Sequence, residues 1–111
     1  MHNSNLSTYN LPYQVKILEP VREYMESLKV AEQGIIRADM EAMQSGDLQS
    51  VRTKHLRGKI YELIVGNHRV TYFLADNSLY FIRGFRKKSA KTPKKEIEYA
   101  EKIYREIENK R

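Results

Sequence analysis

The sequence predicts an α+β domain: a small, twisted antiparallel sheet in the order β-α-α-β-β-β-α, with two N-terminal helices on one face and a C-terminal helix. Three observations predict it. Apolar residues recur at helical spacing between Val21 and Met43 and again between Ile97 and Ile107. Three strand-length apolar stretches lie between these runs. The stretches are divided by Gly66-Asn67 and Asp76-Asn77, turns too short for parallel strands, which need a crossover of a dozen or more residues. A length of 111 residues gives one domain with a real core but not two.

Residues 1–12 are polar, Asn/Ser-rich and aperiodic, so a disordered tail is expected there, closed by Pro12. Tyr13–Leu18 alternates apolar and polar residues and is the first strand. Pro20 fits the first turn of a helix, where its missing N–H costs nothing. Val21, Tyr24, Met25 and Leu28 then share one helical face. A second run carries Ile36, Met40 and Met43 on one stripe, with Gly34 predicting a break somewhere in Lys29–Gly34. These methionines are core filler rather than ligands, and Gly46 suits a left-handed helix end.

Leu48–Lys59 then links to the strands Ile60–Val65, His68–Ala75 and Ser78–Phe85. In the last helix Thr92 is the expected N-cap and Pro93 the first helical residue. Its apolar face is Ile97, Ala100, Ile103, Tyr104 and Ile107. Strand alternation puts Tyr61, Leu63, Val65, Val70, Tyr72 and Leu74 on the helix-packed side. Glu62, Ile64, Arg69, Thr71 and Arg83 fall on the other, expected open, with Arg69 and Arg83 both looking out from it.

Charge narrows the function. Of the residues behind the net charge of +6, those from Arg52 to Lys95 include twelve basic and only two acidic, Glu62 and Asp76; the rest hold eight basic against twelve acidic. The stretch Arg83–Lys95 alone carries seven basic residues and no acidic one. Such asymmetry points to a polyanionic partner, nucleic acid or an acidic protein, over a merely solvated basic face. Cysteine is absent, which excludes disulfides, thiol chemistry and Cys-based metal sites. The three histidines are dispersed and lack an acidic cluster, so no metal and no other cofactor is expected. With no apolar run long enough for a membrane helix and no signal-peptide pattern, a cytoplasmic protein is expected.

Several short motifs in order carry a family resemblance: Lys54-His-Leu-Arg-Gly58, Ile60-Tyr-Glu-Leu63, His68-Arg-Val-Thr-Tyr72, Gly84-Phe85-Arg-Lys-Lys88 and Lys91-Thr-Pro-Lys-Lys-Glu96. Together they resemble the RelE/ParE toxin superfamily, in particular its HigB-type branch of phage-derived toxins. The resemblance runs from Tyr13 to the C-terminus, making residues 13–111 a RelE-like toxin domain. It implies the toxin of a type II toxin–antitoxin system: a metal-independent, ribosome-dependent endoribonuclease that cuts mRNA and arrests translation. It also implies an antitoxin, in the HigB branch typically a helix-turn-helix protein, that occludes the basic face. The ParE branch offers a non-enzymatic alternative, inhibition of DNA gyrase. A third reading is an inactive basic module that binds nucleic acid or antitoxin.

The implied cleavage uses the 2′-OH as nucleophile on the adjacent phosphate. It needs a proton acceptor, a proton donor for the 5′-oxygen and cations for the phosphorane. Carried over by position, Arg69 binds the scissile phosphate, against the plainer reading of an ion pair with Glu62. Lys87 and Lys88 match a basic pair after the last strand, as phosphate clamps or, with neighbouring cations, as proton-transfer groups. His55 and His68 are candidates on their ordinary pKa alone, with His55 the one placed in the catalytic set. RNA contacts are expected from Lys54, Arg57, Lys59, Arg83, Arg86 and Lys91. Tyr61, Tyr72 and Tyr80 suit the core, and Phe85 the sheet edge. One departure stands out: where the HigB branch usually has Arg two residues after Glu62, this chain has Ile64, so a phosphate-stabilising cation is missing.

Overall fold

The computed structural model describes residues 11–111; the expected N-terminal tail lies almost wholly outside them. The elements are β1 (Gln14–Ile17), α1 (Glu19–Glu26), α2 (Val30–Gln44), β2 (Arg52–Arg57), β3 (Ile60–Val65), β4 (His68–Ala75), β5 (Ser78–Arg86) and α3 (Lys94–Asn109). The sheet order is β1-β5-β4-β3-β2. The α+β class, the paired N-terminal helices and the C-terminal helix are as the sequence predicts.

Two features of the sheet differ. The linking segment expected over Leu48–Lys59 contains a fifth strand, β2, antiparallel to β3 at the sheet edge. Its sequence, Arg-Thr-Lys-His-Leu-Arg, lacks a buried apolar alternation because an edge strand that is mostly exposed does not need one. The second difference is β1, which pairs parallel with β5, from Gln14 opposite Ser78 to Ile17 opposite Phe81. The meander β2–β5 is antiparallel as expected, so the whole sheet is mixed. The helical break also falls earlier than the glycine implies: Ser27 ends α1, Lys29 opens α2, and Gly34 lies inside α2. Nothing crowds Gly34, which lies on the exposed side of the helix, so α2 tolerates it.

Two apolar clusters hold the layers. Val21, Met25, Ile36, Met40 and Met43 pack α1 and α2 on Leu63, Val65, Val70, Tyr72 and Phe81, confirming the methionines as core. On the other sheet face, Ile60, Phe73, Ala75 and Ile82 pack against Ala100, with Tyr99, Ile103, Tyr104 and Ile107 of α3 around them. Phe73 is fully buried; its ring stacks on Tyr80 and meets Tyr104 edge-on, each at 4.8 Å between centroids. Burying such a side chain contributes roughly 1.5–3 kcal/mol, so this contact is a principal anchor for α3.

The face expected to stay open is therefore covered in part by α3 and open at one end. Arg69 and Arg83 do share that face, but α3 lies over Arg83. Its Nε is 3.4 Å from the buried Glu96, and its guanidinium sits 4.7 Å from the Tyr99 ring centroid. Leu74 and Tyr61, expected beneath the helices, are exposed at 42% and 39% and line an open groove instead.

Candidate nucleic-acid cleft

The uncovered end of the α3 face is a cleft of about 230 Å³. Register builds its floor. Directly opposed residues on antiparallel strands share a face, so two rows cross the sheet. One is Arg52, Ile64, Arg69 and Phe85; the next is Lys54 and Glu62, continuing outside the cleft through Thr71 to Arg83. The segment from Lys87 to Pro93 forms the remaining wall. A backbone hydrogen bond from Lys87 N–H to the Asn67 carbonyl, 2.7 Å, fixes the start of that wall to the β3–β4 turn.

Arg69 is held firmly rather than waving in solvent: its side chain is only 12% exposed, which corrects the expectation that it simply looks out. Its Nη1 donates to the carbonyls of Gly66 at 2.8 Å and His68 at 3.0 Å, and its Nε lies 3.8 Å from Glu62 Oε2. The ion pair and a place in the cleft thus coexist. Glu62 is 3% exposed, and its Oε1 accepts a hydrogen bond from Thr92 Oγ1 at 2.8 Å. Thr92 therefore does not cap α3. Pro93 occupies the N-cap position without a side-chain cap, and the Thr92 hydroxyl instead satisfies a carboxylate that burial would otherwise penalise.

Of the sequence-predicted site residues, the cleft brings together Arg69, Lys87, Lys88, Lys54 and Lys91. It leaves out five. His55 points to the opposite sheet face, its Nε2 donating to the Gly58 carbonyl at 2.8 Å and its ring 4.9 Å from that of Tyr61. Strand parity is the reason: with Lys54 facing the cleft, His55 cannot. Lys59 likewise lines an apolar groove on that opposite side, with Tyr61, Tyr72 and Leu74. Arg57 is turned towards α3 by a bulge in β2 and makes a two-pronged ion pair with Glu101, at 2.7 and 3.2 Å. That hydrogen-bonded pair pulls the Glu101 carboxyl below its ordinary pKa. Arg83 is engaged by Glu96 and Tyr99, as above. Arg86 lies on the α2 side, 3.9 Å from Glu32.

His68 is buried and structural: its Nδ1 shares a 2.6 Å hydrogen bond with the Tyr24 hydroxyl, and its Nε2 a 2.8 Å bond with Glu32. Burial raises the Tyr24 pKa, against the opposing influence of Arg86. Of the cations lining the cleft, one escaped the sequence reading: Arg52, beside Ile64. The alternation Arg52-Thr-Lys54 would have revealed it had the segment been taken for a strand. The cleft holds no cluster suited to a metal; among the described residues, no group of three or more His, Asp or Glu could hold one.

A five-stranded mixed sheet flanked by helices, with a cationic cleft at one end, defines a small RelE-fold protein. The structure is similar to a chain in the archaeal RelE–RelB complex from Pyrococcus horikoshii, with a TM-score of 0.60 and 19% identity, covering 72% of this chain and 100% of that one. It is also similar to a chain in the RelB–RelE antitoxin–toxin complex of Methanococcus jannaschii, with a TM-score of 0.56 and 15% identity over 64% of this chain and 88% of that one. The toxin–antitoxin complex RelBE2 of Mycobacterium tuberculosis gives a TM-score of 0.56 and 13% identity over 69% of this chain and 100% of that one. Among curated proteins none matches. By sequence, residues 23–105 match the family described as Phage derived protein Gp49-like. The chain belongs to that family, one of RelE/HigB-type toxins.

Proposed function

We propose that the protein is a toxin that cleaves mRNA on the ribosome without a metal ion, and that an antitoxin neutralises it by occluding the cleft. One observation carries this reading. Of the cations outside the cleft that the sequence marked for RNA, Arg57, Arg83 and Arg86 are taken up by carboxylates, and Lys59 lies on the opposite face of the sheet. The side chains of Lys54, Lys87, Lys88 and Lys91 line the cleft and make no ion pair among the described residues. Cations gathered without countercharge bind phosphate best.

The residues then divide the work. Among the described residues, Glu62 is the only carboxylate lining the cleft, and it takes the proton from the 2′-OH. The 2′-oxygen forms a bond to phosphorus as the bond to the 5′-oxygen breaks. Lys87 or Lys88 delivers a proton to that leaving oxygen, giving a 2′,3′-cyclic phosphate and a free 5′-OH. Arg69, pre-positioned by its two carbonyl acceptors, stabilises the charge of the phosphorane.

The test is cleavage of mRNA on purified ribosomes, read by mapping new 5′ ends. Arg69→Ala is expected to slow cleavage about 10²-fold, the cost of one oxyanion-stabilising donor. Arg69→Lys should recover only part of it, since a point charge does not replace a planar fork. Thermal unfolding of both variants separates this loss from misfolding. Intact mRNA in cells with persisting polysomes would overturn the reading, and DNA-damage signalling with intact mRNA would favour gyrase inhibition.

A further inference from the structure

We infer that Arg52 is the second arm of a phosphate pincer, closing on the same phosphate as Arg69 over the side chain of Ile64. The inference rests on the cleft's being the RNA site and deepens it. Ile64 lies directly opposite Arg52 on one side and directly opposite Arg69 on the other. All three side chains therefore stand on one face, in one row, and all three line the cleft. Adjacent strands are about 4.8 Å apart, so the two arginine Cα atoms are about 10 Å apart with the isoleucine midway. From that separation both guanidinium groups can reach one phosphate seated above Ile64.

The environment of each group favours this pairing over its neighbours. Lys54, the next cation along β2, stands opposite Glu62, one row away from the arginines. Arg52 stands opposite an apolar residue and makes no ion pair among the described residues, so its charge is available in full. Arg69 is fixed through Nη1 and its Nε lies by Glu62, which leaves Nη2 for an anion. Ile64 supplies neither a competing acceptor nor a hydrogen-bonded water site, and an apolar floor strengthens the charge interactions above it. A cation at position 64 would stand between the arginines and compete for the same phosphate. With isoleucine there, the charge is displaced by one strand, from β3 to the edge strand β2.

Two readouts test the pincer. The first is affinity for a short single-stranded RNA made uncleavable by 2′-O-methylation, measured by fluorescence anisotropy over a range of salt. Arg52→Ala is expected to weaken binding at least tenfold and to reduce the salt slope by about 0.7, one phosphate contact's worth for a single strand. The second is the single-turnover rate of cleavage of ribosome-bound mRNA, expected to fall about 10²-fold in the same variant. Arg52 is exposed on an edge strand, so the variant should fold, which circular dichroism checks. Ile64→Arg added to Arg52→Ala is expected to restore at least tenfold in both readouts, because it returns a cation to the same phosphate. Unchanged affinity and slope in Arg52→Ala, or a double variant no better than the single one, overturns the pincer. A wild-type protein that binds the RNA through Arg52 yet leaves ribosome-bound mRNA intact keeps the pincer and overturns the endonuclease.

Discussion

At the scale of single residues, function follows from which charges are already spent. Arg57 and Arg69 look alike in sequence, each a basic residue on a strand of the meander. One is closed off by Glu101; the other is braced on backbone carbonyls inside the cleft. Sequence marks the positive charge but not its partner, because Arg57 and Glu101 meet only through the tertiary docking of α3. Arg69, Lys87, Lys88, Lys54 and Lys91 were legible for a different reason: their charges have no close carboxylate in the fold either, apart from Glu62. Another residue-scale constraint lies at Gly84. A Cβ there would come within 2.6 Å of the Tyr24 ring, and that ring is not free to retreat because its hydroxyl is bonded to His68. Gly84→Ala should therefore destabilise the protein by about 1–3 kcal/mol, the usual cost of overpacking, measured by urea denaturation. Adding Tyr24→Ala should not restore full stability, since it also removes a partner of the buried His68.

At the scale of elements, α3 decides what remains of the sheet face for a ligand. It covers Ile60, Phe73 and Ile82 and stops short of Ile64 and Arg69. Its first turn is tied down not by a cap but by the Thr92–Glu62 hydrogen bond, so the helix start and the cleft carboxylate share one contact. The helix itself was readable from the Ile97-to-Ile107 stripe. Its position over part of the face expected to be open was not, because strand alternation assigns faces but says nothing of where along a strand a distant helix lands. The same limit hid β2: a strand exposed on both faces has no apolar period to read. Phe73→Ala should cost about 3–5 kcal/mol in a urea titration. The loss should fall on the contact between α3 and the sheet, so hydrogen exchange in α3 should accelerate more than in α1.

At the scale of the whole molecule, the chain builds its site almost entirely from its second half and its support from the first. Every residue lining the cleft lies between Arg52 and Pro93, the region where the positive charge is concentrated. The apolar floor that α1 and α2 provide is remote from the chemistry. The class and the direction of the charge were therefore legible from composition and pattern, while the mixed sheet was not. A parallel partner for β1 requires knowing that its short apolar alternation would travel to the far edge of the meander.

That edge position has a kinetic consequence. The hairpins from β2 to β5 close over turns of a few residues, whereas β1 meets β5 only after a loop of about sixty residues is closed, from Gln14 to Ser78. Local contacts form early, and long closures wait until a template exists to reward them. The meander with its cleft is thus expected to assemble first, and β1 to dock late as a clasp. Val15, which faces the apolar core from β1, is the residue to probe. Val15→Ala should speed unfolding and leave refolding nearly unchanged in a stopped-flow chevron; a slowed refolding arm would place the clasp in the nucleus instead.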